Sequence, residues 1–160
     1  VNRQLLENNY IFIPNLISAQ RADQLAREYT NYAELHDLKG DPQAPNSNSM
    51  YNWMPALELL CELTKTITEQ SGTTVVPTYS YIRVYRTGDD LKKHSDRPSC
   101  EISVTVNLGG DCDWPIYIER PDGSVASLTL KPGDAMLYLG CQAQHWRDPI
   151  PGSTCVQVFL

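Results

Sequence analysis

Apolar and polar residues alternate with two different periods along this chain, and the period changes near residue 72. Before that point, Leu25, Ala26 and Tyr29 mark one face of a helix that Ser18 would cap and that runs to about Tyr32. Leu59, Leu60, Leu63 and Ile67 mark one face of a second helix, from Pro55 to about Gln70, which Ser71-Gly72 ends. The short aromatic and β-branched run from Tyr10 to Pro14 precedes both as a strand. After Thr73 the pattern is that of β structure. Strands are predicted over Val75 to Arg86, Glu101 to Leu108, Pro115 to Arg120, Ser124 to Leu130, Ala135 to Leu139 and Cys155 to Leu160. Turn residues separate them at Thr87-Gly88-Asp89, Gly109-Gly110, Asp122-Gly123, Pro132-Gly133-Asp134 and Pro151-Gly152. Asp122-Gly123 carries the signal of a two-residue hairpin.

Such an order predicts a mainly β fold with N-terminal helices, a β-sandwich or jelly roll with helices packed on one sheet. One domain over residues 1–160 accommodates it: residues 1–72 supply the N-terminal strand, helices and a loop, and residues 73–160 the jelly-roll core. Within Ile102 to Leu108 the apolar set Ile102, Val104, Val106 and Leu108 would face the helices. Ser103, Thr105 and Asn107 would face a polar cavity. Tyr79, Tyr81, Arg83 and Tyr85 share one face of their strand, which suits either a polar cavity wall or a solvated surface. Residues 37–49 are rich in Gly, Asp, Pro, Asn and Ser and lack periodicity, so they form the candidate lid.

Composition narrows the partners. A net charge of −6 argues against a surface that tracks phosphates, and no nucleic-acid partner is expected. Cys61, Cys100, Cys112, Cys141 and Cys155 are odd in number, scattered and without a C-x-x-C pair, which predicts reduced thiols and a cytoplasmic setting. No apolar run has the length of a membrane span and no secretory leader opens the chain, so no membrane partner is expected. The start at Val1 and the stop inside an apolar run at Leu160 suggest that a few terminal residues lie beyond these ends.

The chemistry is concentrated in three residues. His94 and Asp96 flank Ser95, and in extended chain residues i and i+2 point to the same side. His145, delivered from a different strand, would complete a two-histidine, one-carboxylate face of the kind that leaves open positions on non-haem Fe(II). An H-x-D triplet in a polar stretch is also common on solvated loops. The metal reading gains because only three histidines exist and two of them fall beside predicted strands. His36 has no strand partner and reads as a helix-end or surface residue. Tyr51 and Trp53 follow the lid and are candidates for substrate contact or for a hydrophobic anchor. Trp114 and Trp146 read as packing residues. No Ser-His-Asp triad, nucleophile elbow or phosphate loop is visible.

With these residues in place the chain resembles the 2-oxoglutarate and Fe(II)-dependent dioxygenases, in particular the prolyl 4-hydroxylase-like branch. The resemblance covers nearly the whole sequence: Asn9 to Asn15 with its helix, Tyr85-Arg-Thr-Gly88 leading to the H-x-D triplet, Val104 to Leu108, the Lys131-Pro-Gly-Asp134 turn, and the last strand from Gly152 to Leu160. It implies a double-stranded β-helix core and His94, Asp96 and His145 as iron ligands. It also implies Tyr85 as a co-substrate contact, and Fe(II), 2-oxoglutarate and O2 as cofactor and co-substrates, with ascorbate as a candidate stimulant. The implied reaction hydroxylates a C–H bond of a peptide or small-molecule substrate, such as a peptidyl proline or an amino-acid-like compound, and releases succinate and CO2. Asp96 favours hydroxylation over halogenation, because related halogenases carry a small residue there.

One departure stands out. The family places Lys or Arg in the last strand to pair with the far carboxylate of the co-substrate, and positions 154, 155 and 156 are Thr, Cys and Val here. A buried dicarboxylate still needs a cation. Arg147, two residues after His145 and on its face, is the first substitute; Arg83, on the Tyr85 face, is the second, and the Thr154 hydroxyl could add a contact. The missing cation also leaves open a second class, a cupin-like jelly-roll module that binds a metal or small ligand without turnover. A cupin-type H-x-H site is disfavoured by the His-x-Asp spacing.

Overall fold

Side-chain caps open two of the three helices in this computed structural model, which describes residues 1–160. Asn2 accepts from the Gln4 amide at the start of α1 (Arg3–Asn8), a short helix the hydrophobic pattern did not disclose, and Asn9 ends it at φ 67°. Next comes β1 (Tyr10–Ile13). Ser18 accepts from the Arg21 amide to start α2 (Ala19–Leu35), and His36 sits at its C-cap. β2 (Asn48–Tyr51) precedes α3 (Met54–Ser71), which carries Pro55 in its first turn and stops at Gly72.

Eight strands follow: β3 (Tyr81–Arg86), β4 (Leu91–His94), β5 (Ile102–Gly110), β6 (Ile116–Glu119), β7 (Val125–Leu128), β8 (Ala135–Leu139), β9 (His145–Arg147) and β10 (Thr154–Phe159). They form two antiparallel sheets. The larger has the order β1-β8-β5-β10-β3-β2 and the smaller β4-β9-β6-β7. The sheets face each other as a jelly roll. The main apolar core lies between the larger sheet and the helices, where Val104, Val106 and Leu108 meet Leu25, Tyr29, Leu59 and Leu63. Trp53 belongs to this core, its ring 5.2 Å from that of Tyr29.

The opposite face of the larger sheet is the one that positions the site. Arg83, Tyr85, Ser103, Thr105, Asn107 and Gln157 are all buried there and are tied to one another or to nearby backbone by hydrogen bonds. The alternation read for β5 and β3 therefore describes a polar interior between the sheets.

Three expectations change, and two further strands are added to those read. Residues 75–80 lie outside the strand ladders, because β2 and β10 reach only β3 and Pro77 cannot donate to a ladder. The loop is shorter than the candidate lid of residues 37–49, since Asn48 and Ser49 already pair with Val84 and Arg83. At Asp122-Gly123 the Glu119–Val125 register and the Arg120 N–H to Ser124 carbonyl bond leave a three-residue loop, with Gly123 at φ 83°. Lastly, β4 and β9 are short strands of largely polar residues with no alternation to announce them. All five cysteines are free, and no helix is long and apolar enough to cross a membrane.

Candidate metal centre

Two strands and the segment that follows β4 bring the candidate ligands together. β4 pairs with β9 so that His94 lies directly opposite His145, their ring centroids 4.3 Å apart. Asp96 leaves the end of β4 and is pinned by its backbone N–H to the Gly140 carbonyl at 2.8 Å. Asp96 Oδ1 then lies 3.6 Å from His94 Nε2 and 3.5 Å from His145 Nε2, and the three ligand atoms fall within 4.8 Å of one another. Imidazole–metal bonds of about 2.1 Å need only a small contraction of this triangle.

The surroundings fix what each atom can do. Nδ1 of His94 faces the Lys92 carbonyl at 2.6 Å, and Nδ1 of His145 faces the Ala143 carbonyl at 3.0 Å. Both rings must donate from Nδ1, which leaves a lone pair on each Nε2, close to the same carboxylate oxygen. Three acceptors converging with no donor among them repel unless a proton or a cation sits between them. Ser103 Oγ donates to Asp96 Oδ2 at 2.8 Å and reserves Oδ1 for the shared centre. The Tyr138 ring lies edge-on to His145 at 4.8 Å. Without a cation a proton must fill that place: burial alone would raise the Asp96 carboxyl, but hydrogen bonds from the His145 and His94 rings, once these carry the proton, outweigh that and hold it well below the usual range. The same carboxylate raises His94. The donor set, two neutral imidazoles and one carboxylate, fits Fe(II).

A cavity of about 580 Å³ opens onto these ligands. Its walls include Arg83, Tyr51, Tyr79, Tyr81 and Phe159, with Asp41 and Gln43 from the loop between α2 and β2. Tyr51 thus faces the cavity, whereas Trp53 is core.

The co-substrate candidates are distributed unequally. Arg83, 1% exposed, uses its Nη donors on Asp41 at 2.5 Å, Gln43 Oε1 at 3.2 Å and Tyr85 Oη at 2.9 Å. Tyr85 and Arg147 lie deeper between the sheets and are absent from the cavity wall. Arg147 is 2% exposed, donates from Nη1 to the Trp114 carbonyl at 2.5 Å, and has no partner for Nε or Nη2. Its guanidinium lies over the Trp114 ring, and burial lowers its pKa. Thr154 is turned the other way: it stands opposite Arg86, while Cys155 stands opposite the inward Tyr85. The inward residue at the expected cation position is therefore Cys155.

No protein-family model and no curated protein matches the sequence. Solved structures do match. A Pseudomonas putida prolyl-4-hydroxylase superposes over 98% of this chain and 93% of its own, with a TM-score of 0.78 at 13% identity. The fold is that of the 2-oxoglutarate and Fe(II)-dependent oxygenases. A viral collagen prolyl hydroxylase from Paramecium bursaria Chlorella virus-1, solved with 2-oxoglutarate, covers 94% of this chain and 93% of its own at TM-score 0.66 and 15% identity. A Trichoplax adhaerens prolyl hydroxylase in complex with a hypoxia inducible factor peptide fragment covers 98% and 84%, at TM-score 0.74 and 11% identity. In this oxygenase fold the double-stranded β-helix expected from the sequence is present as two facing sheets.

Sequence reading missed Gln43 and Asp41, which belonged to the lid stretch without individual distinction. It also missed Gly140, where an added Cβ would lie 2.6 Å from Asp96 Oδ2 and 2.7 Å from Ser103 Oγ. No local pattern marks any of the three.

Proposed function

We propose that this chain is an Fe(II)- and 2-oxoglutarate-dependent oxygenase, one domain over residues 1–160, that hydroxylates a C–H bond of a peptide or small-molecule substrate. The convergence of His94 Nε2, His145 Nε2 and Asp96 Oδ1 between the sheets of this fold, with both tautomers set by backbone carbonyls, carries the reading. When bound, Fe(II) would supply an open coordination face and, with O2, the oxidative decarboxylation of 2-oxoglutarate to succinate and CO2 coupled to hydroxylation. The two histidines and Asp96 hold that cation, and Ser103 and Gly140 keep Asp96 oriented.

Charge supports a dicarboxylate. Arg83 is already neutralised by Asp41, so the unpaired positive charges between the sheets are Arg147 and the one left over when a divalent cation meets Asp96. A dicarboxylate answers both. We assign its far carboxylate to Arg147, whose free Nε and Nη2 are an edge built for bidentate pairing, rather than to Arg83, whose Nη groups are engaged. Tyr85 lies beside both arginines and is the neighbouring hydroxyl. The tyrosine-rich cavity mouth suits a proline-like ring or a small amino-acid-like substrate, and the peptide held by the Trichoplax enzyme supports the peptide option. Five free thiols suit a cytoplasmic setting.

Anaerobic titration of Fe(II)-loaded protein with 2-oxoglutarate tests this. A weak visible charge-transfer band should appear in the wild type. In Arg147→Ala the co-substrate Kd should rise by about tenfold to a hundredfold, the worth of a hydrogen-bonded charge pair. Admission of O2 should yield succinate. Metallated wild type without band or succinate would sink the proposal in favour of a binding module; a normal titration in Arg147→Ala would remove only Arg147.

A further inference from the structure

The Gln43 carboxamide is held between a buried arginine and a metal-ligand atom. Its Oε1 accepts from Nη1 and Nη2 of Arg83, each at 3.2 Å, and its Nε2 lies 3.4 Å from Nε2 of His94. Arginine only donates, so the amide oxygen must face Arg83 and the NH2 group must face the ligand cluster. The support behind it is rigid. Arg83 is fixed by Asp41 and Tyr85, and the Asp41 carboxylate in turn accepts from Tyr81 Oη at 2.5 Å and from the backbone N–H groups of Gln43 and Ala44. Ala44 is buried against Tyr85 and Trp114 and anchors the following residue of the loop.

His94 presents a lone pair at Nε2 because its Nδ1 donates to Lys92, and that lone pair is the acceptor the Gln43 NH2 now meets. A cation that takes the lone pair removes this acceptor. The NH2 group, 3.4 Å from that ring atom, would then need another acceptor, and an oxygen bound to the same cation would be one. We propose that Gln43 donates a hydrogen bond to the metal-proximal oxygens of the co-substrate, with Asp41 and Arg83 as the positioning residues that orient the amide. The inference rests on the 2-oxoglutarate reading and adds a contact from the loop between α2 and β2 to that site.

Gln43 is exposed, so its replacement leaves the core intact. The test is anaerobic titration of Fe(II), and then of 2-oxoglutarate, into wild type, Gln43→Leu and Asp41→Asn, reading Kd and the position of the charge-transfer band. Gln43→Leu should keep its Fe(II) affinity, raise the co-substrate Kd about tenfold or more, and shift the band. Asp41→Asn should move both in the same direction by less. A wild-type band with an unmoved Gln43→Leu titration overturns the proposal alone. A parallel loss of Fe(II) affinity in Gln43→Leu also overturns it, since the side chain would then support the cation and not its ligand. Metallated wild type without a band overturns the proposal together with the co-substrate reading.

Discussion

Arg147 and Gly140 show how single residues set this site. Arg147 is a fully buried cation whose only hydrogen bond goes to the Trp114 carbonyl, a costly state without an anion. Replacement by an apolar side chain of similar length should therefore not lower stability. Arg147→Met is expected to melt no earlier than wild type without co-substrate and to lose the extra stability that 2-oxoglutarate gives the Fe(II) form, both read by thermal melts. At Gly140 the absent side chain leaves the room that Asp96 and Ser103 occupy. Gly140→Ala would put a Cβ 2.6 Å from Asp96 Oδ2 and closer still to the Cys100 carbonyl, pushing the candidate ligand off its seat. The expected result is a folded protein with metal affinity reduced about tenfold to a hundredfold, measured by chelator competition. That His94, Asp96 and His145 come together was legible from residue type and spacing, because a metal site needs particular atoms. Gly140 and Gln43 were not, since their roles consist in what lies next to them.

At the scale of elements, the segment between α2 and β2 behaves as part of the site. Burial raises the Asp41 carboxyl, yet the hydrogen bonds from Tyr81 and Ala44 and the Arg83 guanidinium outweigh it and leave its pKa below the ordinary 3.8. A depressed carboxyl stabilises the folded contact above its ordinary pKa, and that contribution is lost as pH falls through the lower folded value. Acidification below about pH 4 should accordingly loosen the loop. Limited acid proteolysis should cut within residues 39–47 increasingly as pH falls, and Asp41→Asn should show that susceptibility already at neutral pH. The long helices could be read from their apolar faces because each buries one side against a sheet. β2, β4 and β9 could not, since their pairing partners lie far away in sequence and their polar side chains serve the site, the outer surface or the loop. On that outer surface Lys93 reaches across the Trp146 ring to Glu119, joining β4 to β6. Trp146 also stacks on Tyr117, while Trp114 packs inside against Tyr85. Both tryptophans are thus packing residues.

For the whole molecule, a metal that binds only the folded chain must stabilise it by mass action. Fe(II), or an inert divalent substitute, at a hundred times its Kd should add about 2.7 kcal/mol, or about 5–10 °C in Tm for a domain of this size. Chelator should reverse the shift, and Asp96→Asn should show none; an equal shift in that variant would place the cation elsewhere. The sequence by itself determined the two long helices, most of the strands, which residues of β3 and β5 share a face and the three candidate ligands, because periodicity and ligand chemistry are local properties of residue type. Only the tertiary structure decided that Cys155 and not Thr154 faces inward, that Arg83 is engaged while Arg147 is left unpaired, and that Gln43 meets His94. Those outcomes depend on strand register and on contacts between residues dozens of positions apart. A shift of one residue in a strand exchanges its faces, and nothing in the local sequence encodes which partner a buried donor will find.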